Sequence, residues 1–397
     1  MSPSTEKSSN LTVKYAFIQG FFWMNFAVIM GFSSLYLLDV GFSNTQIGLL
    51  IAAAGIISAV LQPTIASYAD SPSSPSLKRI VSVFTILVIV MGLLLIFSKG
   101  SLLLTGLLYG GCITILQLLT PLVNALGMES INQGKRLNFG VSRGMGSVAY
   151  AVAAYILGIV ADRTGAGVVP VATAGVFAAL FFFLMVFPFQ KTVSESSKKE
   201  KNSQSPLYFF KRYPRFAVVL IGCVLLYISH VLLNSFTFQI VESKGGTSAE
   251  MGFSMALASL IELPTMFLFG YMLKKVRCDI WFRISGIFFM LKCLGSLLAP
   301  NMPVFYAIQL FQLLGWALIT VSSVYYVNSI MDSRDAIKGQ AYMTMTYTLG
   351  SVLGALLGGP LIDKAGVAAM LTFGTAAAAI GMIILLFATE KTSEMPH

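Results

Sequence analysis

Residues 191–212 read KTVSESSKKEKNSQSPLYFFKR, the only long charged, Ser-rich stretch of the chain, and its reading decides the fold. A segment of this composition stays solvated and joins two folded parts without supplying a core of its own. On either side lie six apolar runs, approximately 14–38, 45–69, 79–98, 101–127, 138–161 and 166–189 before it, and 213–241, 248–273, 279–298, 302–330, 336–361 and 367–388 after it. Each is close to the ~20 residues that cross a hydrocarbon layer. In hydrocarbon the backbone polar groups have to pair within the segment, so these runs are expected to be helices. The expected architecture is an all-α membrane protein with twelve transmembrane helices in two six-helix bundles, residues 1–190 and 213–397, joined by a cytoplasmic linker at 191–212.

Composition agrees. A mean hydropathy of +0.81 and only 11% charged residues leave too little polar surface for a soluble domain of this size. Of the 26 Lys and Arg residues, 21 fall in segments on one side of the membrane if both termini share that side; Lys99, Arg163, Lys244 and Lys364 face the other side, and Lys292 lies deep within a helix. Positive charge is retained on the cytoplasmic face, so the bias places both termini inside. The net charge of +10 is then mostly inner-loop charge that anionic lipid accommodates, and no nucleic-acid partner is expected. Cys112, Cys223 and Cys293 fall in helices and Cys278 in a cytoplasmic loop, positions where no disulfide is expected. The N-terminal MSPSTEKSSN precedes an apolar run with no cleavage-type site, so the first helix is read as a retained span.

The two halves carry traces of a repeat. Gly41-Phe-Ser-Asn-Thr-Gln46-Ile-Gly48 parallels Gly245-Gly-Thr-Ser-Ala-Glu250-Met-Gly252, and Gly158-Ile-Val-Ala-Asp162-Arg163-Thr-Gly165 parallels Gly359-Pro-Leu-Ile-Asp363-Lys364-Ala-Gly366. Two matches in the same order argue for duplication, and duplicated six-helix halves are a transporter architecture with a site near the membrane midplane. No Walker motif occurs and no cluster of Cys, His and acids has metal-site spacing, so neither ATP drive nor a cofactor is expected.

Over its whole length the chain resembles the major facilitator superfamily. After the second helix, Ala66-Ser-Tyr-Ala-Asp70 keeps the acid of the superfamily's Gly-x-x-x-Asp signature, and Lys78-Arg79 supply its basic cluster, so the resemblance implies a gating role for Asp70, Lys78 and Arg79. Within that superfamily the chain is similar to the oligosaccharide:proton symporters, the lactose permease branch. The similarity is carried by Phe26-Ala-Val-Ile-Met30-Gly31, Leu61-Gln62-Pro63, Pro121-Leu-Val-Asn124-Ala125, Phe139-Gly140-Val-Ser-Arg143-Gly-Met-Gly146-Ser-Val-Ala-Tyr150 and Ile261-Glu262-Leu263-Pro264. It implies that Arg143 matches a sugar-binding arginine, Tyr150 an aromatic that stacks on the sugar and Glu262 a carboxylate of the substrate site. Asn124 stands where that branch usually has an acid.

The residues themselves leave alternatives open. Arg143 and Tyr150 are seven apart and share a helix face; the guanidinium either forks onto substrate or snorkels to headgroups. Asn124 suits hydroxyl recognition or a helix-to-helix hydrogen bond. Glu262 is the only carboxylate well inside a span. A buried acid is a plausible proton carrier, yet Lys292 on the next helix offers a partner that would keep it ionised. His230 shares a face with Asn234 and is either a coupling group or a satisfied core histidine. Helix 10 lacks the histidine and carboxylate of the lactose permease branch and offers Gln309, Gln312, Trp316 and Thr320 as cavity-lining groups, while Gly350, Gly354, Gly358 and Gly359 allow close packing of helix 11.

The expected function is a proton-coupled symporter of a small polar solute, a sugar or oligosaccharide first, working by alternating access in the plasma membrane as a functional monomer. Substrate-binding candidates are Asn124, Arg143, Tyr150, His230, Asn234, Glu262, Lys292 and Trp316, with Glu262 and His230 as the proton-coupling pair. Export of drugs or metabolites on the same fold, or uptake of a nucleoside or small aromatic acid, competes with it. A non-transporting membrane sensor or an intramembrane enzyme is a competitor from another class; against the enzyme stands the lack of a nucleophile and base at helical spacing, and against the sensor the lack of an attached soluble domain.

Overall fold

The structure is a computed structural model that describes residues 4–71, 73–98, 100–189 and 206–392. Among these residues there is helix and no strand. The spans are α1 Leu11–Gly31, α2 Asn44–Ala69, α3 Leu77–Phe97, α4 Leu102–Asn132, α5 Phe139–Thr164, α6 Val168–Val186, α7 Pro214–Ser235, α8 Ser248–Lys275, α9 Cys278–Leu298 and α10 Met302–Ile330. The last helical stretch, Ser333–Ala388, is too long for one crossing and breaks at Gly366, whose φ of 80° no helix accommodates, giving α11 (333–365) and α12 (367–388). Among the described residues this gives twelve stretches long and apolar enough to cross a membrane. Large apolar side chains such as Leu103, Phe182, Phe267 and Ile380 lie exposed along them, the surface that hydrocarbon covers.

Helix ends follow local chemistry. Ser76, Ser101, Asn138 and Asn301 each accept a hydrogen bond from the backbone N–H three residues on, capping α3, α4, α5 and α10. The repeated turns are alike in backbone as well as sequence: Gly165 has φ 85° and ψ 169°, and its counterpart Gly366 has φ 80° and ψ 173°. α1 ends in a π-turn at Ala27–Gly31. Such a turn disturbs the carbonyl ladder, and the Tyr109 hydroxyl donates to the Ile29 carbonyl at 2.7 Å.

The chain forms two compact units. The first comprises the described residues up to 189 other than Ser43–Ala52, plus Ser248–Ser259; the second comprises Ser43–Ala52 and the described residues from 206 onward other than Ser248–Ser259. Each half of the sequence therefore lends one short segment to the unit built mainly from the other. Of the stretch 191–212, only Pro206–Arg212 is described, as a short helix; residues 190–205 lie outside the described set. In the second unit α11 packs tightly on α7, where a Cβ at Gly350 would fall 2.5 Å from Tyr227 Cβ and one at Gly358 would fall 2.5 Å from the Phe236 ring. Cys278, expected in a loop, is the first residue of α9 and is buried, because Arg277 already stands as the preceding cap.

Candidate functional site

Two spans are discontinuous, and their breaks meet in the second unit. In α8 the helix stops at Ile261 and restarts at Leu263, with Pro264 just inside the new start. Proline has no N–H to continue the ladder and crowds the preceding turn. In α10 the helix gives way to a 3₁₀ turn at Leu310–Leu313 and restarts at Trp316 after Gly315. The Thr265 hydroxyl donates to the Leu313 carbonyl at 2.7 Å, joining one break to the other. Irregular backbone is tolerated at membrane depth where protein or a cavity satisfies it, and transporter sites recur at such breaks.

Glu262 sits at the α8 break and Gln312 at the α10 break. The Gln312 amide donates to Glu262 Oε1 at 2.7 Å, and its carbonyl oxygen accepts from the Lys292 ammonium on α9. Lys292 is only 7% exposed. The buried cation and the acid are thus linked through a neutral amide that accepts from one and donates to the other. Beside them the His230 imidazole lies flat on the Trp316 indole, with centroids 4.0 Å apart and planes 5° from parallel. Tyr227 and Phe289 approach the same rings edge-on or tilted. These groups border a narrow hollow of about 10 Å³, lined by Ser229, His230, Leu233, Phe288, Phe289, Lys292, Gln312, Gly315 and Trp316. The imidazole has no hydrogen-bond partner among the described residues, so it is free to engage what enters.

The first unit holds a second polar cluster. Tyr15, Gln19 and Trp23 form one stripe of α1 at four-residue spacing. The Gln19 amide donates to Tyr15 Oη at 2.7 Å and to Asn124 Oδ1 at 3.0 Å, while its carbonyl accepts from Trp23 Nε1 at 3.2 Å. The Arg143 guanidinium lies 3.9 Å from the centre of the Trp23 ring. Tyr150 is farther along α5, where its hydroxyl would lie 3.5 Å from a Cβ placed at Gly31.

The structure therefore groups the sequence candidates unevenly. His230, Glu262, Lys292 and Trp316 come together in the second unit, and Asn124 and Arg143 in the first. Asn234 does not line the hollow: it is exposed, and its amide donates back to the His230 carbonyl at 2.7 Å. Lys78 donates to the carbonyls of Met185 and Phe187 at 2.9 and 2.8 Å, closing the C-terminus of α6, and Arg79 is exposed. The Asp70 side chain lies outside the described set. Sequence reading missed Gln19 and Trp23, although their i, i+4 spacing with Tyr15 is visible in the chain. It also ranked Gln312 as a mere lining group, because no pattern in one helix shows that a glutamine bridges residues on two others.

Discontinuous helices, a buried cation linked to a half-buried acid and two six-helix sequence halves define a membrane transporter, and the chain belongs to the MFS_1 like family, whose family model matches residues 13–373. It is 25% identical over 163 residues to a Deinococcus radiodurans protein named "Putative sugar efflux transporter", a match spanning 41% of this chain and 41% of that protein. Its fold is similar to that of the nucleoside transporter NupG, with a TM-score of 0.77 at 15% identity over 96% of this chain and 98% of the other. A D-xylose-proton symporter gives a TM-score of 0.71 at 13% identity over 98% of both chains. A bacterial homologue of the iron transporter ferroportin gives 0.70 at 11% identity over 96% and 99%. Identities this low carry the fold and no more.

Proposed function

We propose that the protein is a proton-coupled carrier of a small polar solute, with a sugar or oligosaccharide as the first choice. The observation that carries this reading is the Lys292–Gln312–Glu262 chain at the edge of a hollow floored by the His230 and Trp316 rings. Donors and acceptors in that chain suit hydroxyl groups, and flat aromatic faces suit the C–H face of a sugar ring. A proton arriving at Glu262 changes what Gln312 has to satisfy, and Gln312 also holds Lys292, so protonation and solute binding act on one set of hydrogen bonds. Coupling between two ligands requires such a shared element.

The sugar choice draws on the name of the Deinococcus relative and on the xylose-proton symporter among the structural neighbours. The carrier is proposed to act as a monomer in the cell membrane with both termini in the cytoplasm, driven by the proton gradient without a cofactor. Sealed vesicles containing only this protein test the reading, with sugars, nucleosides and aromatic acids offered in turn on either side and a pH gradient of either sign. Gradient-driven movement of a sugar is expected, and the sign that drives it gives the direction. Movement insensitive to the gradient for every solute sinks the coupling. An impermeant thiol label should reach cysteines placed at Lys244 and Lys364 on intact cells.

A further inference from the structure

The duplicated sequence motifs meet as two helix crossings that share their glycines and an aspartate and differ in what that aspartate bonds to. In the first unit the start of α8 lies on α5: a Cβ at Gly252 would fall 2.3 Å from the Ala154 carbonyl oxygen, and one at Gly158 would fall 2.8 Å from Gly252 Cα. In the second unit the start of α2 lies on α11: a Cβ at Gly48 would fall 2.1 Å from the Ala355 carbonyl oxygen, and one at Gly359 would fall 2.1 Å from that of Asn44. Four residues past Gly158 stands Asp162, and four past Gly359 stands Asp363. Asp162 is exposed and makes no hydrogen bond among the described residues.

Asp363 is fully engaged. Its Oδ1 accepts from the Asn44 backbone N–H at 3.3 Å and the Asn44 side-chain amide at 2.8 Å; its Oδ2 accepts from the Thr45 backbone N–H at 2.7 Å and the Thr45 hydroxyl at 2.6 Å. Asn44 is held from its other side, where Oδ1 accepts from the Gln239 amide at 2.7 Å. The counterparts of Asn44 and Thr45 at the other crossing are Ser248 and Ala249, and alanine has no hydroxyl to offer.

The α2 start does not depend on this carboxylate for its own formation. Ser43 and Gln46 form a local capping box: Gln46 Oε1 accepts from the Ser43 N–H at 2.9 Å and Ser43 Oγ accepts from the Gln46 N–H at 3.2 Å. The helix is closed by its own residues, and the four bonds to Asp363 serve to hold it in place. Their donors surround a partly exposed carboxylate at a helix N-terminus, where the unpaired N–H groups and the helix dipole favour an anion. Water can replace them one by one.

We propose that Asp363 is a releasable latch: its carboxylate fastens the start of α2 to α11, and its release from Asn44 and Thr45 is a distinct step of the conformational cycle that the α5–α8 crossing lacks. The latch does not depend on which solute is carried.

The test uses the full chain with its four native cysteines, all buried, as a silent background. Ile47 and Met251 occupy matching positions before Gly48 and Gly252, and both are fully buried. Cysteine is placed at one or the other, and the rate of modification by a small water-soluble maleimide is measured on reconstituted protein. Asp363→Ala should speed modification at position 47 roughly tenfold, the scale expected for partly exposed charged hydrogen bonds. The pair Asn44→Ala and Thr45→Val, which removes the side-chain donors and leaves the acid, should also speed it. Asp162→Ala should leave position 251 unchanged. An unchanged rate at 47 in folded Asp363→Ala protein overturns the latch, and so does an equal acceleration at 251 by Asp162→Ala. If Asp363→Ala exposes the native cysteines as well, the Asn44 and Thr45 pair decides by the same criterion.

Discussion

The glutamine at the centre of the first unit's polar cluster is saturated, and the cluster of the second keeps bonding capacity in reserve. Gln19 spends both amide protons and its carbonyl on Tyr15, Asn124 and Trp23, and Arg143 spreads its charge over the Trp23 face. In the second unit the Lys292 ammonium has three protons and, among the described residues, one hydrogen bond, to Gln312, while the His230 imidazole is stacked and has no hydrogen bond to any of them. Saturation fixes positions, since breaking any bond leaves a buried polar group without a partner. Reserve capacity beside a hollow lets a group exchange partners. Residue types alone do not separate the two, because both clusters mix a cation, amides and a tryptophan.

The largest effect should come from Lys292. Its replacement by alanine leaves the Gln312 carbonyl without its buried donor, at a cost of about 1–3 kcal/mol, read as lost thermal stability of the purified protein. Lys292→Met combined with Glu262→Gln should recover most of that loss. A double variant as unstable as the single one would mean that the two charges are not one unit, and the contrast with the first cluster would lose its basis.

Glu262→Gln comes next and acts on transport more than on folding. A neutral amide resembles the protonated acid but cannot release a proton, so solute exchange across vesicles should persist while accumulation driven by a pH gradient disappears. Accumulation that survives in the Glu262→Gln, Lys292→Met double variant would move the proton-carrying role to His230.

Arg143 should show the smallest change. Arg143→Lys keeps the charge but loses the planar group that lies on Trp23, a loss of about 0.5–2 kcal/mol, measured as roughly tenfold weaker solute binding, with Tyr150→Phe weaker still in effect. Solute binding unchanged by Arg143→Ala would leave the whole first cluster a structural brace.

Much of this was legible in the chain. Apolar runs of membrane length and a polar break after residue 190 follow from composition, and the runs had to be helices because hydrocarbon offers the backbone no other partner. Glu262 and Lys292 stood out for the same reason: ionisable groups in apolar runs are costly and rarely incidental. The repeated motifs argued for duplication but did not show that their glycines lie at helix crossings.

What the chain could not reveal is where long-range contacts fall. Gln312 is separated by 50 residues from Glu262 and by 20 from Lys292, and Asp363 by 318 from Thr45. No local periodicity links such positions; only packing of whole helices brings them within bonding distance. Sequence by itself determined how many apolar helices there are, roughly where they lie and which charges within them need partners, because those follow from the solvent each segment meets. Tertiary structure decided which partner each charge takes, that Asn234 and Lys78 are bonded to nearby backbone carbonyls, and that of two matching acids Asp363 is engaged while Asp162 is not.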